Sequence, residues 1–295
     1  HVPQKQVYVI LISGCFDSAV SSYLCIRRGL LTHYLFFNLG GRAHELAVKA
    51  VALYLWMKYG ASHQVRFVTV PFEPVVAEIL TRVDNSQMGV ILKRMMLRAA
   101  STVADQLGIQ ALVTGESVAQ VSSQTLPNLA VIDSVTDKLL LRPLILTDKQ
   151  GIIDLAREIG TEEFSKQIPE YCGVISDKPT TRARLDRIER EEAKFNLALI
   201  DQVVNDAKVQ LINAIAEDIA QTEVPLQKVS QPGPGVTLID VRHPDEQHRT
   251  PLTFIGGTDV TVLHVPFYEL QTFMAAQDKS APFLLYCEKG MMSRL

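Results

Sequence analysis

Ser13-Gly14-Cys15-Phe16-Asp17-Ser18 lies between a continuous apolar run, Val7–Ile12 (VYVILI), and an amphipathic stretch, Ser18–Arg28. A short apolar run bounded by turn residues reads as a strand buried on both faces. The stretch after it reads as a helix, with Arg27 and Arg28 in its last turn and Gly29 as its stop. A turn from strand to helix aims backbone N–H groups and a helix N-terminus at one point, which makes an anion site. The hydroxyls of Ser13 and Ser18 add donors suited to phosphate oxygens. Asp17 is placed to hold Mg²⁺ or to orient the loop. The string has neither the GK[ST] of a Walker A loop nor the GxGxxG of a dinucleotide fingerprint.

Working outward, strand-like and helical patterns alternate. Leu31–Phe37, Val65–Phe72, Ala111–Thr114 and Leu139–Leu141 read as strands. Glu45–Tyr59, Val90–Leu107 (stopped by Gly108) and Lys149–Ile159 (capped by Thr147, closed by Gly160) read as helices. Such alternation with short connections predicts an α/β fold, a parallel sheet with helices on both faces, over residues 1–178. Residues 179–223 read as a charged helical linker without strand signal. Gln231-Pro-Gly-Pro-Gly235 is a chain breaker. Beyond it Thr237–Val241, Val260–Val265 and Phe283–Tyr286 read as strands of a small second α/β unit within 224–295.

Four cysteines, Cys15, Cys25, Cys172 and Cys287, form no CxxC pair, which argues against a zinc site and a thioredoxin motif. Cys25 reads as helix core. Cys172, between Pro169-Glu170-Tyr171 and Gly173, falls in an accessible loop. Cys287 ends the apolar run Leu284–Tyr286 and leads into a polar loop holding Lys289, Gly290, Ser293 and Arg294. Nearby cations and backbone N–H groups at such a cysteine favour its thiolate. A small buried hydrophobe is the other reading of a cysteine at a strand end.

The net charge is −3, from 29 basic and 32 acidic residues. This balance gives no global excess of positive charge for nucleic acid, so any RNA grip must be local or lie elsewhere. No apolar run reaches the ~18–20 residues needed to cross a bilayer, and no secretory signal is evident. A cytoplasmic protein with no membrane partner is expected. The chain starts at His1 without Met, with a strand within six residues, and so reads as an excised piece.

The loop resembles that of the PP-loop ATP pyrophosphatases, SGGxDS, with Cys15 where the family has glycine. Glycine permits positive φ and close approach to phosphate, so Cys15 is expected to carry a steric cost for both. Longer strings are similar to the 4-thiouridine sulfurtransferase (ThiI) family: Phe36-Phe37-Asn38-Leu39-Gly40-Gly41, Gly89–Met96, Ala111–Glu116, Gln120–Gln124 and Pro169–Ser176. The resemblance implies an ATP pocket formed by Leu11, Ile12, Ser13, Gly14, Ser18, Phe36, Phe37, Lys93, Gly115 and Gln124. In it Lys93 would reach phosphate, Phe36 and Phe37 would flank adenine, Gly115 would admit close backbone approach and Gln124 would close the site. Asp17 is implied to be catalytic, with Mg²⁺ accompanying ATP.

The second unit resembles a rhodanese domain. Cys287 is then implied to carry a persulfide and Cys172 to resolve it through a transient disulfide, with Asp240 and Arg242 as structural polar residues. The implied activity is ATP-dependent adenylation of a tRNA uridine (position 8) and sulfur transfer to give 4-thiouridine. The implied partners are tRNA and a pyridoxal-phosphate cysteine desulfurase. Some family members also feed sulfur to thiamine thiazole synthesis through a sulfur carrier protein. Against the family pattern, an N-terminal THUMP region is expected to be absent and the rhodanese segment to be incomplete. Another PP-loop ligase would explain the loop but leave Cys287 without a role. A non-catalytic remnant would bind ATP weakly and release no pyrophosphate.

Overall fold

The computed structural model describes residues 7–11, 15–39, 41–168, 178–220, 235–242, 244–252, 260–266, 270, 273–274, 276–277 and 282–286. Ile12, Ser13, Gly14, Cys172 and Cys287, singled out above, lie outside these. Chain contacts divide the protein into His1–Asn213 and Ala214–Leu295.

The first unit runs β1 (Val7–Leu11), α1 (Phe16–Arg27), β2 (Leu31–Asn38), α2 (Gly41–Leu55), β3 (Arg66–Pro71), α3 (Glu73–Arg82), α4 (Met88–Gln106), β4 (Ala111–Val113), α5 (Leu126–Asp133), β5 (Leu139–Leu141), α6 (Lys149–Ile159), α7 (Glu162–Gln167), α8 (Leu185–Glu192), α9 (Ala198–Asn205) and β6 (Lys208–Leu211). Its strands are ordered β5-β4-β1-β2-β3-β6, and all neighbours are parallel except β3 and β6. Successive strands step one way from β1 to β2 and β3, and the other way from β1 to β4 and β5. The order therefore reverses between β1 and β4. In open parallel sheets the crevice outside the carboxyl ends at such a reversal is where ligands bind.

Residues 32–37 of β2 are all buried, as a central parallel strand requires. The longest helix, α4, buries Val90, Ile91, Leu92, Met95, Ala99, Ala100 and Val103 against the sheet and carries α5, α8 and α9 on its other sides. Gly108 follows α4 at φ 69 and Gly160 caps α6 at φ 81, left-handed turns that favour glycine.

Two expectations are corrected. The cap of α6 is Asp148, whose Oδ1 accepts from Gly151 N at 2.7 Å, and not Thr147. Thr147 is already held in the preceding turn, its N–H donating to Leu144 O and its carbonyl accepting from Ser117 Oγ. Residues 179–213 group with the first unit, and they contain a strand. β6 runs antiparallel to β3 as a four-residue edge strand, too short and too exposed to show an alternation in sequence. It is held partly by Lys49 of α2, which is fully buried, donates to Gln210 Oε1 at 2.8 Å and pairs with Glu45 at 2.5 Å. The charged stretch before it docks through an ion pair. Arg94 of α4 is nearly buried and forks onto Glu192 at 2.6 and 2.9 Å.

The second unit comprises α10 (Ile215–Ala220), β7 (Thr237–Asp240), α11 (Pro244–Arg249), β8 (Thr261–His264) and β9 (Phe283–Tyr286), with the three strands parallel in the order β8-β7-β9. Asp240 is fully buried and is satisfied by Arg242, which forks onto it at 2.9 and 2.7 Å. Arg242 also donates to Thr250 O at 2.9 Å and lies over the Tyr286 ring. This pair ties the end of β7 to the end of β9, one residue before Cys287.

Candidate nucleotide site at the sheet reversal

The helix α1 begins with Cys15 as its N-cap, at φ −66 and ψ 166. That is extended backbone open to any residue, so the expected cost of positive φ at Cys15 is absent. Its side chain makes no cap to the first-turn amides. Instead Ser18 Oγ donates to Cys15 O at 3.2 Å, and Cys15 Sγ lies 3.5 Å from Ser18 Oγ. Asp17 sits in the first turn, where the helix dipole favours a carboxylate. Cys25, further along α1, is buried, and burial pushes its thiol up to about 11, as suits a core cysteine.

Gly115 stands two residues beyond the end of β4. A Cβ there would meet Asp17 C and Ser18 N at 2.8 Å and Asp17 O at 3.0 Å, all backbone atoms. Close approach is the reason for glycine at 115, and what approaches is the start of α1 itself. The end of β4 and the N-terminus of α1 are therefore packed backbone to backbone.

Lys93, in the second turn of α4, is tied to this junction through Glu116. Its Nζ pairs with Glu116 Oε1 at 2.5 Å. The other carboxylate oxygen accepts from Arg142 Nε at 2.8 Å and from Thr114 Oγ1 at 3.1 Å. Arg142 in turn forks onto Asp133 at 2.9 and 2.6 Å. Burial would raise the Glu116 carboxyl, but the Lys93 and Arg142 cations beside it outweigh burial and hold it down at about 2. Glu116 is thus a carboxylate at neutral pH.

Lys149, the first residue of α6, pairs with Asp17 Oδ1 at 3.3 Å and lies over the Phe16 ring. Sequence reading passed over it. A signal was present, since a cation in the first turn of a helix opposes the helix dipole and needs a compensating partner. Glu116 was also passed over, although it closes the string Ala111–Glu116.

Gln124 ends a short 3₁₀ turn and is buried, with Oε1 lacking a hydrogen-bond partner among the described residues. Between Glu116 and Gln124 the chain passes through Ala119 at φ 64, a left-handed conformation uncommon for a non-glycine residue. Leu11 ends β1 opposite Leu35. Phe36 and Phe37, expected beside adenine, have their rings in the core. Phe36 packs on His44 and Phe67, and Phe37 on Phe72. Residues from five segments, Cys15–Ser18, Lys93, Thr114–Glu116, Arg142 and Lys149, are linked by these contacts around the β1/β4 reversal. No helix among the described residues is long and apolar enough to cross a membrane.

Comparison with known proteins bears on this arrangement. A family profile described as "Thiamine biosynthesis protein (ThiI)" matches residues 4–197. The chain is 56% identical over 285 residues to a tRNA sulfurtransferase of Tolumonas auensis and 58% identical over 285 residues to one of Shewanella frigidimarina. Each comparison covers 97% of this chain and 58% of the relative, so the chain spans a little over half the length of these proteins. Among solved structures, a 4-thiouridine synthetase–RNA complex with bound ATP is similar at a TM-score of 0.65 and 29% identity, over 70% of this chain and 55% of that one. With a matched profile over most of the first unit and relatives more than half identical across nearly all its residues, the chain belongs to the ThiI family.

Proposed function

We propose that the chain binds ATP at the β1/β4 reversal and serves in an ATP-dependent sulfur transfer that converts a tRNA uridine (position 8) to 4-thiouridine. The observation that supports this most is the convergence of the α1 N-terminus, the Gly115 close approach and the Lys93 ammonium at one crevice. A helix N-terminus and a lysine are the groups a polyphosphate requires. Leu11, Ile12, Ser13, Gly14 and Ser18 would surround the phosphates, with Gln124 closing the pocket and the Phe36-Phe37 backbone bounding it at the end of β2. Asp17 would orient the loop. Mg²⁺ would enter with the nucleotide, taking most of its oxygens from phosphate and water. Among the described residues no cluster of three or more metal-binding side chains is gathered.

In the reaction, O4 of the uridine attacks the α-phosphorus, pyrophosphate leaves, and the C4–O bond acquires AMP as a leaving group. A pyridoxal-phosphate cysteine desulfurase loads sulfane sulfur on Cys287. That sulfur is delivered to C4, directly or as released sulfide, and AMP departs. Cys172 resolves the intermediate by attacking Cys287, leaving a disulfide that cellular thiols reduce. The rhodanese-like reading of 224–295 is supported by the parallel strands β7 and β9 and by the Asp240–Arg242 pair beneath the residue preceding Cys287. Supply of sulfur to thiamine thiazole synthesis through a sulfur carrier would use the same persulfide.

Mass spectrometry after incubation with cysteine and a desulfurase tests the sulfur half. One added sulfur on the Cys287 peptide is expected, lost in Cys287→Ser while ATP–pyrophosphate exchange persists. Loading confined to another cysteine would refute the assignment.

A further inference from the structure

We infer that Glu116 is a positioning residue for the nucleotide site, fixing the Lys93 ammonium at the mouth of α1 before ATP arrives. The inference rests on the nucleotide reading above and adds to it a residue with no substrate contact of its own. Lysine carries its charge on a flexible four-carbon stem, so a lysine left alone at a crevice wall samples many positions. Here it cannot. Its Nζ is tied to Glu116 Oε1 at 2.5 Å, and one tether leaves the remaining two N–H donors for an incoming anion.

The carboxylate is itself held. Arg142 and Thr114 occupy Oε2, and Asp133 at the end of α5 holds Arg142 in a two-point fork. Glu116 is also adjacent to Gly115, which packs against the backbone of Asp17 and Ser18. The ammonium is thereby referenced, through two residues, to the helix terminus with which it would share a polyphosphate. Two positive and two negative side chains make up the cluster, so its charge closes on itself without nucleotide. Preorganised charge of this kind removes the cost of ordering at the moment of binding.

The donor pattern explains why the residue must be a carboxylate. Lys93 and Arg142 are donors only. Glutamate offers each of them an oxygen. Glutamine in either orientation turns its NH₂ toward one of the two cations and loses that tether.

The test compares ATP with adenosine as probes on the 295-residue chain, by calorimetry and, with tRNA supplied as the nucleophile, by pyrophosphate release. Glu116→Gln should weaken ATP binding by roughly 10–100-fold, the scale of one lost hydrogen bond to a charged group. Adenosine, which has no phosphate for Lys93, should bind within about twofold of wild type. The double variant Lys93→Met/Glu116→Gln should bind ATP no more weakly than Lys93→Met alone, because Glu116 acts through Lys93. If Glu116→Gln fails to fold, Glu116→Asp keeps the charge but draws the carboxylate back by one methylene, and should show the same selective loss. Equal losses of ATP and adenosine, unchanged ATP binding in a folded variant, or additive effects in the double variant would each overturn the inference. A wild-type chain that binds adenosine but neither binds ATP nor releases pyrophosphate would overturn the nucleotide reading itself, and the inference with it.

Discussion

Gly115→Ala isolates the packing of β4 against α1. The glycine does not stand at a positive φ, so alanine loses nothing in backbone conformation there. Its cost is steric. The added Cβ would lie 2.8 Å from Asp17 C and Ser18 N, whereas ordinary contact begins at 3.4 Å, so the two segments must part by 3.4 − 2.8 = 0.6 Å. Both opposing atoms are backbone, and no side chain can swing away to absorb the change. Overpacking of this kind costs about 1–3 kcal/mol. For a unit the size of His1–Asn213, each kcal/mol lowers Tm by roughly 2–4 °C, giving a fall of about 2–12 °C. The same displacement parts the α1 terminus from the Gly115–Glu116 segment to which Lys93 is tied. On a scale where 1 Å is worth about a hundredfold, pyrophosphate release should fall on the order of tenfold. Differential scanning calorimetry and a pyrophosphate assay read the two effects. Gly89→Ala is the matched control, since it lies in α4 with no atom within 4 Å of the added methyl. It should stabilise by up to about 0.5–1 kcal/mol and leave catalysis unchanged. A Gly115→Ala protein with wild-type Tm and wild-type pyrophosphate release would refute the claim that close approach requires this glycine.

Other perturbations follow from the geometry. Cys15→Gly should change stability by less than about 0.5 kcal/mol, because Cys15 is an unstrained N-cap without a capping hydrogen bond and glycine is nearly equivalent at that position; a large fall in urea midpoint would show that the Sγ–Ser18 contact matters more than its 3.5 Å length indicates. Glu192→Ala leaves Arg94 buried and uncompensated, and should cost about 3–5 kcal/mol in urea unfolding. Replacing both partners by Arg94→Met/Glu192→Leu should recover much of that loss, and no recovery would show that other contacts dominate. His33 is held down at about 4, by burial first and by the Arg66 charge second, while its Nδ1 accepts from Arg66 N at 3.0 Å. A folded-state value below the unfolded one means that its contribution is complete above about pH 6.5 and is lost as pH falls toward 4, at most about 2 kcal/mol by pH 5. His33→Asn should flatten unfolding free energy across that window, and an unchanged slope would locate the proton elsewhere.

Much of the first unit was legible because its strands are continuous apolar runs and several of its helices end in glycine. Val7–Leu11, Leu31–Asn38 and Leu139–Leu141 stand within a residue of their expected bounds, and Gly29, Gly108 and Gly160 all take the positive φ that their stop positions imply. β6 was hidden because an exposed four-residue edge carries no period, and its burying partner, Lys49, is 161 residues from Gln210. α3 and α5 were missed because each is short, and the proline in the first turn of each is a helix-start signal that went unread.

Site residues divide along the same physical line. Gly115 and Lys93 could be named because their strings are distinctive, but their partners could not. The tether of Lys93 is Glu116, 23 positions away, and that of Asp17 is Lys149, 132 positions away. Ion pairs at such separations exist only because the sheet order brings the β1, β4 and β5 carboxyl ends together. The burial of Phe36 and Phe37 follows equally from β2 being central, a fact that depends on β3 and β1 both pairing with it. A residue at the end of a central strand offers a ligand its backbone more readily than its ring. The contribution of β2 to the carboxyl edge of the sheet is therefore its central position between β1 and β3.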